Sequence, residues 1–251
     1  MSIASPALRP EQIAFYQENG YLAVEDVFPA DHVARLRQRI EELCADFDGE
    51  AAKAAAISHE PAVTAGRVPA SAHTVRKFAR LTECEPLFRE HAMHPALLDI
   101  VAALIGEPIL LYEDQALLKP PEVGSPKPPH QDNAYFRVEP PDAVITCWAA
   151  LDDATPENGC MRYFVGTHQH GLVEHEAIPN TPHLVPRGLR HEDAALAPVK
   201  AGGVVFHHSL TLHCSDPNRS DRWRRAFVCH YVREGAEMTR RPEASGLLRV
   251  R

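Results

Sequence analysis

The sequence predicts an α+β fold with a mainly β core and helices gathered at its N-terminal end. Three observations support this. Helical spacing dominates the first hundred residues. From Pro108 onward it gives way to short apolar runs of strand length. Many of the 22 prolines fall between those runs, where each closes a strand and opens a turn. Helices first and strands afterwards fit an α+β fold or a β-barrel wrapped by N-terminal helices. At 251 residues the chain is expected to form one domain, with 1–107 mostly helical support and 108–233 the β core.

In chain order, Arg9 to Gly20 places Ile13 and Tyr16 on one face at i, i+3, and Gly20 supplies a stop. Phe15 lies off that line and broadens the apolar stripe. Tyr21 to Val24 reads as a short strand. A second helix starts at Pro29-Ala30-Asp31, with Asp31 as N-cap, and runs to about Ala45. It buries Val33, Leu36, Ile40 and Leu43. Residues 47–74 are rich in Ala, Gly, Ser and Pro without a clear period. They are expected to be a mobile excursion, either a lid over a site, or a plain surface loop or partly helical Ala-rich turn. Glu85 to Ile105 is a third helical region that Pro95 divides, with Leu87, Phe88, Met93, Leu97, Leu98, Val101 and Leu104 as its core.

Six strands follow: 109–112, 115–119, 143–151, 160–165, 203–207 and 224–232. The polar run 170–198, broken repeatedly by Pro and Gly, reads as loop. There is no internal repeat, no G-x-G-x-x-G and no P-loop.

Composition narrows the function. With 45% hydrophobic and 24% charged residues the chain is an ordinary soluble protein, and its net charge of −8 argues against a broad nucleic-acid or anionic-membrane surface. The start MSIASPALRPEQ has no basic run leading into an apolar one, so no leader is expected, and no stretch nears the roughly 18 apolar residues of a membrane span. Six cysteines, none in C-x-x-C, are expected as buried free thiols in a reducing cytoplasm.

The chemistry is concentrated at His130-Gln131-Asp132. With 15 His and 13 Asp in 251 residues, composition alone gives about 0.8 His-x-Asp pairs by chance, so the pair needs context. Two imidazoles and one carboxylate on one face of a metal, with the other face open for an oxo-acid and O2, is the donor set of non-haem Fe(II) oxygenases. On a strand end, positions i and i+2 project to one side. The third donor then comes from a distant strand, and His213, 83 positions on and just after an apolar strand, suits that place. His207 and His208 are its rivals, read as core or supporting residues. A dicarboxylate chelating iron at one end needs a cation at the other. Arg224 opens a strand and shares a face with the small or apolar Ala226 and Val228, which leaves room beside its planar fork.

From about Pro10 to Tyr231 the chain resembles the phytanoyl-CoA dioxygenase family of Fe(II)/2-oxoglutarate oxygenases. The matching pieces are Leu118-Lys119-Pro120-Pro121; His130-Gln131-Asp132 with Tyr135-Phe136; Trp148; Asp153 to Cys160; Gly166-Thr167-His168; and His213-x-Ser215, Asn218-x-Ser220 and Arg224-Arg225. One departure is Val165, where the family usually has proline before the Gly-Ser/Thr-His turn. The resemblance implies a double-stranded β-helix, or jelly roll, with Fe(II) at its mouth. It implies His130, Asp132 and His213 as metal ligands and Arg224 as the clamp on 2-oxoglutarate, with Gln115, Trp148 and Ser215 lining the co-substrate pocket.

The expected activity is hydroxylation of an unactivated C–H bond in a small molecule (an acyl-CoA, an amino acid or a secondary metabolite), with succinate and CO2 as co-products. Tyr135, Phe136, Lys77 and Arg162 are candidate substrate contacts. Desaturation or ring closure at the same centre is the alternative, as is a metal-binding jelly roll without turnover. Because Asp132 fills the carboxylate position, a halogenase is disfavoured.

Overall fold

Residues 7–179, 181, 183–240 and 247–251 are described by the structure, a computed structural model. Residues 1–6, the first half of the start MSIASPALRPEQ on which the expectation about a leader rests, lie outside them. Twelve strands build two antiparallel sheets: β1 Tyr21–Val24, β2 Ser58–His59, β3 Val75–Ala79, β4 Ile109–Lys119, β5 Lys127–His130, β6 Val144–Ala150, β7 Met161–Tyr163, β8 Ala195–Ala197, β9 Val204–His208, β10 His213–Ser215, β11 Arg224–Arg233 and β12 Leu248–Arg249. The larger sheet runs β1-β9-β6-β11-β4-β3-β2, with β12 also on β4. The smaller runs β8-β7-β10-β5. Two antiparallel sheets face to face, flanked by N-terminal helices, form the expected jelly roll.

Alternation sorts the large sheet into two faces. Phe227, Cys229 and Tyr231 of β11 join Cys147, Ala149, Val204 and Phe206 in one cluster with Val33, Leu36 and Ile40 of the Ala30–Ala45 helix and Leu97, Ile100 and Val101 of the Pro95–Ile105 helix. The other face sends Ala226, Val228, Trp148, Ala150 and Val205 toward Met161, Tyr163 and Ala197 of the small sheet. A strand buried on both faces reads as a continuous apolar run, which explains the texture of 143–151 and 224–232.

The first helix, Pro10–Asn19, stops at Gly20 with φ +79°. A Cβ there would lie 2.4 Å from both His168 Nδ1 and Thr211 Oγ1, so only glycine admits this turn into β1.

Several expectations need correction. Asp31 is not an N-cap. Pro29 takes that place and Asp31 lies in the first turn. Met93 is 41% exposed, because the chain breaks between helices Pro86–Ala92 and Pro95–Ile105 and leaves it at the joint. The strands read at 109–112 and 115–119 are one, with the break absorbed as a register shift opposite His230/Tyr231. Residues 47–74 take the partly helical form, with the helices Glu50–Ala54 and Pro61–Thr64, and add β2, which was not expected and pairs with β3. Helices of five and four residues are too short to show a period. Within 170–198 lie β8 and a two-stranded hairpin of Glu176–Ala177 and Leu184–Val185. All six cysteines are free, and Cys84 is exposed. Among the described residues no helix is long and apolar enough to cross a membrane.

Candidate functional site

The small sheet brings two imidazoles together. His130 ends β5 and lies directly opposite His213 on β10, with ring centroids 4.1 Å apart. Each ring is locked through Nδ1, which donates to a carbonyl two residues earlier: Pro128 O at 2.9 Å for His130, Thr211 O at 2.9 Å for His213. Both rings therefore present an unprotonated Nε2, the tautomer a metal needs. Burial keeps both neutral, pushing His130 well below the ordinary histidine value and His213 down to about 4.

Asp132 meets them by a different route from the one alternation suggests. Its backbone is helical (φ −61°, ψ −37°), at the head of the turn Asn133–Phe136. That turn swings Oδ1 to 3.6 Å from His130 Nε2 and 3.7 Å from His213 Nε2. Candidate ligand atoms of the three residues lie within 4.8 Å of one another, the one such group found among the described residues. Two imidazoles and a carboxylate, all buried, are a donor set fit for Fe(II).

The other carboxylate oxygen is held by the large sheet. Thr146 Oγ1 on β6 donates to Asp132 Oδ2 at 2.6 Å, and His207 Nε2 on β9 donates to it at 3.0 Å. Tyr163 OH donates to His207 Nδ1 at 2.9 Å. His230 Nδ1 donates to Thr146 at 2.9 Å, and Gln115 Nε2 donates to His230 Nε2 at 3.2 Å. Every donor finds an acceptor in this order, which assigns the tautomers. Burial opposes ionisation of Asp132, but its carboxyl lies well below the usual carboxylate range, with His207 donating to it.

Arg224 occupies the same inward face of β11 as Val228 and His230. Its Cζ lies 5.2 Å from the centroid of the Trp148 ring. It is 3% exposed, and among the described residues Nε and Nη1 have no hydrogen-bond partner, nor does Trp148 Nε1. Burial lowers the guanidinium to about 10, so it stays charged at neutral pH. Three orphaned donors on one wall, one group cationic, are the complement of an anionic acceptor, because unpaired buried charge is strongly unfavourable.

The remaining candidates distribute unevenly. Ser215 faces inward two residues beyond His213, opposite Met161. Lys77 lies on β3 opposite Leu117, an inward position. Tyr135 packs edge-on to His130 at 5.8 Å, and its hydroxyl accepts from Leu184 N at 2.8 Å. Phe136 enters an end cluster with Tyr112, Val138 and Val232, edge-on to His230. Arg162 lies on the outward side of β7, held by Asp216 Oδ2 at 2.6 Å and Ala194 O at 3.1 Å. Gln131, fully buried between the two chelating candidates, donates to Gly171 O and Leu210 O and accepts from Val173 N. It ties the 171–175 segment across the mouth.

Sequence reasoning did not assign Thr146, His230 or Tyr163 to the site, and left His207 between core and supporting roles. A signal existed for two of them. Counting by twos from Arg224 reaches His230, and from Trp148 reaches Thr146.

A family profile described as Phytanoyl-CoA dioxygenase (PhyH) matches residues 16–226. A probable phytanoyl-CoA dioxygenase of Caenorhabditis elegans is 28% identical over 240 residues, covering 90% of this chain and 76% of the relative. The peroxisomal phytanoyl-CoA dioxygenase of Homo sapiens is 26% identical over 231 residues, covering 88% and 68%. Among solved structures, a non-heme alpha ketoglutarate dependent carbocyclase from nogalamycin biosynthesis superposes with a TM-score of 0.72 at 26% identity, covering 96% of this chain and 90% of that one.

Proposed function

Because the chain belongs to the phytanoyl-CoA dioxygenase family, and is thus a 2-oxoglutarate-dependent oxygenase using Fe(II), we propose that it hydroxylates an unactivated C–H bond of a small molecule. The observation that supports this best is the single interior shared by three metal donors and an unpaired, buried Arg224. In this scheme His130, Asp132 and His213 hold the metal. The chemistry Fe(II) supplies when bound is activation of O2 coupled to decarboxylation of 2-oxoglutarate, giving succinate, CO2 and an oxidised substrate.

The protein's part is binding and orientation. Arg224 grips the distal carboxylate of 2-oxoglutarate, while Trp148, Ser215 and Gln115 line the same pocket. Thr146 and His207 occupy Oδ2 of Asp132, so only Oδ1 would be offered to the metal. The 171–175 segment pinned by Gln131 limits water at the mouth. Lys77 and Tyr135 line the approach for substrate.

Adding Fe(II) and then 2-oxoglutarate anaerobically to metal-free protein tests this, through the visible charge-transfer band of the chelate. A band, followed by substrate-dependent succinate release in air, is the expected result. Iron bound without a band would overturn the oxygenase assignment for this pocket. Ring closure is a second outcome at the same centre, favoured by the likeness to a carbocyclase. Oxygen-18 from O2 appears in the product of hydroxylation and is absent from that of cyclisation.

The clamp on Oδ2 has its own consequence. His207→Ala is expected to weaken metal binding roughly ten- to a hundredfold, the range for losing a group that orients a ligand. Co(II) titration measures it. Unchanged affinity would mean that Thr146 alone positions Asp132.

A further inference from the structure

Lys127 is an inward cation that the metal and co-substrate assignments leave unused. It opens β5, three residues before His130. A register shift between His213 and Ser215 lets both face the interior: His130 opposes His213, and Lys127 opposes Ser215. Its Nζ lies 5.2 Å from the centroid of the Tyr135 ring, which itself packs edge-on to His130. Its polar contact is His183 Nδ1 at 3.2 Å. No described carboxylate forms an ion pair with it. The charged groups that bear on it are Arg76, Lys77 and Asp132. Arg76 is already engaged, 3.6 Å from Glu60 and bonded to Ser125. Asp132 is committed to Thr146 and His207 through Oδ2.

A half-buried ammonium on an aromatic face, with cations beside it and no counterion, is a site that lacks its anion. It belongs to a different sheet from the co-substrate clamp. Arg224 lies against Trp148 in the large sheet, whereas Lys127 is in the small sheet, against Tyr135 of the Asn133–Phe136 turn. Tyr135 and His183 both belong to the mouth, since the Tyr135 hydroxyl holds Leu184 N, the residue after His183.

We propose that Lys127, framed by Tyr135 and His183, anchors a carboxylate on the molecule being oxidised. The enzyme then acts on a carboxylic acid whose reacting carbon lies within a few bonds of that group, because the Tyr135 ring packs against both the ammonium and His130. A carboxylate suits a site framed by the Lys127 ammonium and an imidazole kept neutral by burial. Against the chain's overall charge of −8, this inward cation also draws an anion to the one place where it reacts. The proposal rests on the oxygenase assignment of the preceding subsection.

The probe is 4-fluorobenzoate, followed by 19F relaxation on full-length protein carrying Co(II) and 2-oxoglutarate. The Co(II) absorption change on adding 2-oxoglutarate is recorded first on each sample. Wild type should broaden the fluorine line saturably, and 4-fluorobenzamide should not be broadened. Lys127→Gln should weaken the benzoate effect at least tenfold with the Co(II)–2-oxoglutarate spectrum unchanged, and Lys127→Arg should retain most of it. No saturable broadening in wild type overturns the proposal, as does a Lys127→Gln protein that binds the probe normally. So does a Lys127→Gln protein that instead needs more 2-oxoglutarate, which would assign Lys127 to the co-substrate pocket. A missing Co(II)–2-oxoglutarate change in wild type would overturn the oxygenase assignment itself, and this proposal with it.

Discussion

His213→Ala is expected to lower Fe(II) affinity by more than about a hundredfold and to remove 2-oxoglutarate turnover. His213 is the one candidate ligand that arrives from β10; His130 and Asp132 share a single turn. Its ring is fixed by Thr211 and faces His130 across the strand pair, so no small shift supplies a replacement nitrogen. Losing a group that merely orients a ligand costs about ten- to a hundredfold, and losing the ligand should exceed the top of that range. His207 is the nearest rival, but both of its nitrogens are committed, to Tyr163 and to Asp132. The measurement is an anaerobic metal titration with the chelate band as readout, on protein whose melting curve shows it folded. A wild-type band in His213→Ala would reassign the third ligand.

The second large effect is at Arg224. Removing one partner of a buried charge pair costs about 3–5 kcal/mol, so Arg224→Ala should need roughly a hundred- to several-thousandfold more 2-oxoglutarate for half-maximal chelate band. Metal binding should be unaffected. Arg224→Lys should recover only part of the loss, because a point charge lacks the two-pronged fit of the guanidinium. Without ligand, the alanine variant should be no less stable than wild type, since it removes a buried cation that has no counterion. A normal 2-oxoglutarate requirement in Arg224→Ala would show that another group, such as Lys77, holds the distal carboxylate.

The sequence made the reacting centre more legible than its support. His130, Asp132, His213 and Arg224 are chemically conspicuous and lie beside apolar runs whose strand character is plain. The Ala30–Ala45 helix was legible because Val33, Leu36, Ile40 and Leu43 repeat over about three turns. Thr146, His207, His230 and Tyr163 were harder, because each belongs to the site only through pairings between strands tens of residues apart. His207 follows Val204-Val205-Phe206 and looks like the end of a core strand until β6 sets Thr146 opposite it. β3 was hidden by Arg76 and Lys77, which suit solvent as readily as a strand with one face turned to a polar interior. Asp132 departs from alternation because the turn after β5 is helical, a local choice that a three-residue motif does not encode.

The Asp132 carboxylate is also a tie between the two sheets. One oxygen is bonded to Thr146 and His207 in the large sheet, while the residue itself follows β5 in the small one. Because both donors are buried, removing the carboxylate would strand a hydroxyl and an imidazole N–H inside the barrel. The same side chain thus serves the cohesion of the two layers as well as the chemistry between them.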